Sequence, residues 1–302
     1  MPPFHPDLRS VARWLPRGVA SSWTVPFLRR MPIPRGRLPE GVTVVERPVE
    51  GGVSVRVVSG PPRATPRPAL LWIHGGGYVI GAAAQDDALC ARFALALDAV
   101  VVSVEYRLAP EHPFPTPLED CFSAFELVHH IWGELGIDPT RVAIGGQSAG
   151  GGLAAALVLA VHDRARPAPV FQLLVYPMLD DRTATRQVEP SMFRLWNPPS
   201  NRFGWAAYLG KEPGGPDVPA LAAPARRDDL TGLPPAWIGV GTNDLFHDED
   251  LAYAERLRAA GVPTQVLTIE GAFHGFDAVL PNAPVSRGFF DAQVAALRGA
   301  FG

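Results

Sequence analysis

Residues Gly146-Gln147-Ser148-Ala149-Gly150 form a G-x-S-x-G motif. The motif follows the short apolar run Val142-Ala143-Ile144 and precedes a helical stretch, which places Ser148 on a sharp strand-to-helix turn. Glycines on either side give the neighbouring strand and helix room to approach. The helix start supplies free N–H groups for a developing anion. Ser148 is therefore the candidate nucleophile.

A second glycine-rich motif, His74-Gly75-Gly76-Gly77, follows the apolar run 69–73. Consecutive glycines leave backbone N–H groups uncovered, and such donors can converge on an oxyanion. A glycine loop of this type is known to occur together with a G-x-S-x-G turn, where it supplies the oxyanion donors. We expect His74 to brace the loop and to take no part in catalysis.

Two later loops supply a candidate base and acid. Asp244 follows the apolar run 237–240, and His274 follows the run 265–269. A serine hydroxyl needs a base to accept its proton, and the base needs an acid to fix its tautomer. The order Ser148, Asp244, His274 is the order that this architecture uses.

Other polar residues compete for these roles. Asp248, Glu249 and Asp250 open a predicted helix, where negative charge stabilises the helix dipole. His247 is an alternative base, but it lies beside the acid and not on a separate loop. A metal site built from residues 247–250 is disfavoured because adjacent side chains cannot all face one ion.

The pattern of apolar runs predicts the elements that position these residues. Six runs that are apolar on both faces indicate buried parallel strands: 69–73, 99–104, 142–144, 171–176, 237–240 and 265–269. Helical stretches lie between them, at about 84–97, 117–134, 148–163, 248–260 and 285–300. The alternation predicts an α/β fold with a mostly parallel, doubly wound sheet and helices on both faces. Period-two valines on either side of Gly51-Gly52 predict an antiparallel strand pair.

Two segments break the alternation. Residues 1–40 read as short helices or irregular chain, and residues 183–225 are rich in proline and aromatic residues. We predict that residues 1–40 and 183–225 together form a helical cap. The core would then comprise residues 41–182 and 226–302.

Composition excludes several classes of protein. Hydrophobic residues make up 47% of the 302 residues, which excludes a disordered chain. The net charge of −3 predicts neither nucleic acid nor an anionic membrane as a partner, and no membrane insertion is expected. Cys90 and Cys121 are expected to be buried free thiols. The N-terminus has no uninterrupted apolar core of signal-peptide length, and the longest apolar run, 153–161, is far too short to span a membrane, so a cytoplasmic protein is expected.

The motifs together resemble the hormone-sensitive lipase family of α/β-hydrolases, and the similarity extends over nearly the whole chain. The resemblance rests on the two motifs above and on residues 106–115, Asp244 with Asp248-Glu249, and His274-Gly275-Phe276. It implies a carboxylesterase in which Ser148, His274 and Asp244 form the triad. It also implies an oxyanion hole of Gly76, Gly77 and Ala149 N–H groups, and it suggests a homodimer.

The chain departs from the family at Gln147, where an aspartate usually precedes the nucleophile. The triad is unaffected, but the departure bears on the stability and pH behaviour of the turn. We predict hydrolysis of a small-molecule ester with short or medium acyl chains, with no metal or organic cofactor. An amide, carbamate or lactone substrate remains an alternative. A ligand-binding receptor on this fold is disfavoured because such receptors lack the histidine.

Overall fold

A mixed sheet of eight strands runs through the computed structural model, which describes residues 3–32, 37–49, 51–188 and 192–302. The strands are β1 Thr43–Val49, β2 Val53–Ser59, β3 Arg67–Ile73, β4 Val100–Glu105, β5 Ile137–Gln147, β6 Phe171–Val175, β7 Ala236–Asn243 and β8 Thr264–Phe273. Their spatial order is β1-β2-β4-β3-β5-β6-β7-β8. Each of the six predicted apolar runs forms a strand of this sheet.

The strand directions match the patterns in the sequence. β1 and β2 pair antiparallel, as their alternating valines predict, and β2 pairs antiparallel with β4. The other six strands, β4-β3-β5-β6-β7-β8 in spatial order, all run parallel to one another. The predicted doubly wound α/β sheet is thus confirmed.

The connection order places a switch point between β3 and β5. After β3 the chain turns back to β4 on one side and then crosses to β5 on the other. Ile73, which ends β3, lies opposite Gly146 near the end of β5. In open α/β sheets, ligands bind at the carboxyl ends of strands at such a point.

Helices cover both faces of the sheet. They are α1 Arg9–Ala12, α2 Val25–Leu28, α3 Asp87–Leu97, α4 Thr116–His130, α5 Trp132–Leu135, α6 Ala149–Asp163, α7 Pro198–Leu209, α8 His247–Ala259, α9 Phe276–Val279 and α10 Pro284–Phe301. A short 3₁₀ turn, Ala83–Asp86, leads into α3. The described helices include none that is both long and apolar enough to cross a bilayer.

The two segments outside the alternation contact one another. The Leu195 N–H donates to the Pro16 carbonyl at 2.8 Å, and the Ala20 N–H donates to Ser200 Oγ at 3.2 Å. In α7, Trp205 and Tyr208 pack against Tyr78, which lies next to the glycine loop. Residues 1–2, 33–36 and 189–191 of these segments lie outside the described residues.

Candidate active site

Ser148 lies on the sharp turn between β5 and α6. Its backbone has φ 57° and ψ −124°, which is unusual for a residue with a side chain. The turn depends on its glycines: a Cβ at Gly146 would lie 2.3 Å from the Gly150 carbonyl oxygen, and one at Gly150 would lie 2.1 Å from the Ile73 carbonyl oxygen. The backbone strain holds the hydroxyl at the carboxyl edge of the sheet.

The structure brings Ser148, His274 and Asp244 into one hydrogen-bonded chain. Ser148 Oγ lies 2.8 Å from His274 Nε2, and His274 Nδ1 lies 2.8 Å from Asp244 Oδ2. All three side chains are buried. This is the geometry needed to remove a proton from a serine hydroxyl.

Asp244 and two aromatic rings fix the position of the imidazole. The second carboxylate oxygen of Asp244 accepts the Phe246 N–H at 3.0 Å, which holds the carboxylate in place. The rings of Tyr176 and Phe246 meet the His274 ring edge to face, with centroids at 4.8 and 5.2 Å. The imidazole is therefore restrained by packing as well as by its hydrogen bonds.

The glycine loop lies beside the serine. Gly76 has φ 134° and Gly77 has φ 59°, so both occupy backbone regions that favour glycine. A Cβ on Gly77 would lie 2.0 Å from the Trp196 ring, and one on Gly76 would lie 1.9 Å from the Ile80 carbonyl oxygen. Both glycines line a cavity of about 200 Å³ together with Ser148 and His274.

Ala149 and His74 lie close to this cavity. Ala149 is the first residue of α6, so its N–H is one of those that a helix leaves without an intrahelical partner. His74 Nδ1 donates to the Gly75 carbonyl at 2.8 Å, and its ring stacks on Tyr106. Burial lowers the pKa of His74 to about 4, so the imidazole is neutral and braces the loop.

Gln147 joins a buried network next to the triad. Its amide nitrogen donates to both carboxylate oxygens of Asp86 at 3.1 Å, and its amide oxygen accepts from the Tyr176 hydroxyl at 3.2 Å. Trp72 also donates to Asp86, at 2.8 Å. Glutamine supplies both a donor and an acceptor here, whereas an aspartate would face Asp86 with like charge.

Tyr176 links this network to Asp277. Its hydroxyl lies 2.8 Å from Asp277 Oδ1 as well as 3.2 Å from Gln147 Oε1, yet it has one proton to donate. The hydroxyl donates to Asp277 in the shorter contact, and Gln147 Oε1 lies at the longer distance from the same hydroxyl. Burial raises the pKa of Asp277, and the hydrogen bond from Tyr176 acts in the opposite direction.

We expect Gln147→Glu to make stability more sensitive to pH. Burial raises the pKa of Asp86 from 3.8 to about 7, so the stability it contributes is full below about pH 4 and is lost progressively as the pH rises from about 4 through 7. A second carboxyl at position 147 would share one proton with Asp86. We expect near wild-type stability at pH 5 and a loss of about 2–4 kcal/mol at pH 8.

Denaturant unfolding at several pH values measures this effect. Gln265→Glu, at an exposed position on β8, is the matched control and should follow the wild-type curve. If the stability of Gln147→Glu and of the wild type depends on pH in the same way, a carboxyl group at position 147 does not interact with Asp86.

The competing residues lie elsewhere. His247 bonds to its neighbour Asp248 on the surface, at 2.8 Å. Glu249 does not cap α8: its buried carboxylate accepts the Leu179 and Asp180 N–H groups and the Thr183 hydroxyl. It therefore ties α8 to the loop after β6. Asp250 is buried as well.

Sequence reasoning missed three residues beside the triad: Asp86, Tyr176 and Asp277. Tyr176 directly follows β6 and Asp277 lies three residues after His274, so strand ends alone could have suggested both. Asp86 comes from the turn before α3, and nothing in its neighbourhood along the chain points to Gln147.

Comparisons with known proteins agree with the fold. A family model described as the alpha/beta hydrolase fold matches residues 70–278. The chain belongs to the α/β-hydrolases of the hormone-sensitive lipase type.

Its relatives include two proteins of Mycobacterium tuberculosis. Esterase LipI is 36% identical over 81% of this chain and 78% of its own length, and carboxylesterase NlhH is 36% identical over 86% and 84%. Among solved structures, a bacterial heroin esterase superposes with a TM-score of 0.89 at 38% identity, covering 99% of this chain and 98% of that one.

Proposed function

We propose that the protein is a serine carboxylesterase that works through an acyl-enzyme intermediate. The Ser148–His274–Asp244 chain of hydrogen bonds carries the proposal. Its place at the switch point of the sheet and the esterase names of the relatives support it. The chemistry needs neither a metal nor an organic cofactor.

Acylation begins at Ser148. His274 Nε2 accepts the hydroxyl proton as Oγ attacks the ester carbonyl, and Asp244 stabilises the resulting imidazolium. The N–H groups of Gly76, Gly77 and Ala149 are the proposed donors to the oxyanion. His274 then returns the proton to the leaving alcohol, and an acyl group remains on Ser148.

Deacylation repeats these steps with water. His274 accepts a proton from water, which attacks the acyl carbonyl, and the same backbone donors hold the second oxyanion. The proton returns to Ser148 Oγ as the carboxylic acid leaves. The enzyme is thereby restored without any other group.

The cavity beside Ser148 favours short substrates. Its volume of about 200 Å³ is below the range usual for drug-sized ligands, and Trp196 and Leu195 close part of it. On p-nitrophenyl esters from acetate to palmitate, kcat/KM should peak at short or medium acyl chains. A rate that keeps rising toward palmitate would contradict this size limit.

Matched esters, amides and lactones of one acyl group then define the bond that is cleaved. The proposal requires the ester to be hydrolysed fastest. If the amide or lactone were hydrolysed faster than the ester, the same site would belong to a different hydrolase.

The organisation around the site is also proposed. Residues 1–40 and 183–225 form a cap over a core of residues 41–182 and 226–302, supported by the hydrogen bonds between Leu195 and Pro16 and between Ala20 and Ser200. A homodimer is proposed from the family resemblance and from the position of β8 at the edge of the sheet. Light scattering tests the dimer.

A further inference from the structure

The N-terminal segment exposes large apolar side chains. Trp14, Trp23 and Phe27 are 87%, 90% and 66% exposed, and Met31 is 49% exposed. Among the described residues, these first three are the most exposed large hydrophobic side chains. Clusters of exposed apolar side chains mark interaction sites in soluble proteins, whereas single ones are common.

The apolar side chains around α2 point outward in a regular pattern. Trp23, Phe27 and Met31 are spaced four residues apart along a helical stretch, so they share one face. Val25, on another face of this stretch, is buried against the body. The segment is therefore anchored on one side and apolar on its solvent side.

The same segment is basic, although the protein as a whole is acidic. Residues 3–32 contain five arginines and one aspartate, whereas the complete chain has 27 basic and 30 acidic residues. Four of the arginines are exposed and have no carboxylate partner within the described ranges: Arg9, Arg13, Arg17 and Arg30. The net charge of −3 conceals this basic patch.

The segment is fixed to the body beside the catalytic cavity. Arg29 donates to the Val79 carbonyl at 2.7 Å and pairs with Glu111 at 2.8 Å. Val19, between α1 and α2, lines the cavity that contains Ser148. A surface that binds this segment would therefore lie near the substrate site.

We propose that residues 9–31 form a docking face for an anionic phospholipid surface. Tryptophan rings favour the headgroup level of a bilayer, and exposed arginines attract anionic lipids. A second copy of this chain is a poorer occupant because a twofold contact would bring two basic segments together. The proposal concerns where the enzyme works, and it holds whatever bond Ser148 cleaves.

Cosedimentation with vesicles tests the docking face. The full chain should sediment with phosphatidylcholine vesicles that contain phosphatidylserine, but not with pure phosphatidylcholine, and added salt should release it. Two variants should each bind anionic vesicles at least about tenfold more weakly than the wild type. One is the triple variant Arg9→Gln, Arg13→Gln, Arg17→Gln, and the other is the double variant Trp14→Ser, Trp23→Ser. Both should hydrolyse p-nitrophenyl acetate at the wild-type rate.

Trp132→Ser is the matched control, because Trp132 is also exposed, at 44%, but lies on α5 away from the basic segment. It should bind vesicles as the wild type does. Failure of the wild type to bind anionic vesicles would overturn the proposal, and so would undiminished binding by the variants. If the Trp14→Ser, Trp23→Ser variant has a lower oligomeric mass than the wild type, the face binds a second copy of the chain instead.

Discussion

Ser148→Ala should lower kcat for p-nitrophenyl esters by about 10⁴- to 10⁶-fold and leave the fold intact. Among the described residues, the Ser148 hydroxyl is the only nucleophile that hydrogen-bonds to His274 Nε2, at 2.8 Å. Because the members of a triad act as a unit, the remaining groups can give only residual turnover. Steady-state hydrolysis of p-nitrophenyl acetate measures the loss.

Ser54→Ala on β2 provides the control for this substitution. Ser54 bonds to Glu46 at 3.0 Å on β2, which β4 and β3 separate from β5, and its loss should leave kcat unchanged. Both variants should give wild-type circular dichroism. Activity of Ser148→Ala near the wild-type value would remove Ser148 from the mechanism.

Asp244→Asn should lower kcat by about 10⁴-fold, with little change in KM. Asp244 accepts two donors, the Phe246 N–H and His274 Nδ1–H. Asparagine has one acceptor oxygen, so its amide N–H₂ would face one of these donors. If it faces His274, the imidazole carries its proton on Nε2 and cannot accept the proton of Ser148.

Asp248→Asn is the matched control for the acid. Its side chain is 82% exposed and bonds only to His247 within the described structure, so activity should remain at the wild-type level. A loss of activity in Asp248→Asn with Asp244→Asn unaffected would move the acid to α8. Comparing kcat with KM for the two variants separates a role in proton transfer from a role in substrate binding.

Much of the site was predictable because it follows local signals. Buried parallel strands appear as apolar runs, and the carboxyl ends of such strands meet at one edge of a sheet. Placing Ser148, Asp244 and His274 after three such runs therefore placed them together. The glycine requirements at Gly146 and Gly150 follow from the same close approach of strand and helix.

The network around Gln147 was not predictable in this way. Asp86 and Gln147 are 61 positions apart, and their contact depends on how α3 packs against the sheet. Glu249 shows the same limit: its position at the start of α8 indicates dipole stabilisation, but its carboxylate turns to residues 179–183. Tertiary contacts determine where these side chains lie, and the neighbouring sequence does not predict those contacts.

The charge of the N-terminal segment was hidden for a different reason. A net charge sums over the chain, and the acidic core outweighs the arginines of residues 3–32. Only the exposure of Arg9, Arg13 and Arg17 beside two tryptophans shows a local patch.

Mass spectrometry after reaction with a p-nitrophenyl phosphonate ester tests the acyl-enzyme mechanism most directly. The phosphonyl group should transfer to the serine oxygen with release of nitrophenolate, because the phosphonate mimics the tetrahedral stage of acyl transfer. We predict one adduct per chain, on the peptide that contains Ser148, with a matching loss of esterase activity and no adduct in Ser148→Ala. Complete inactivation with the adduct on another residue, or full activity with Ser148 modified, would contradict the account.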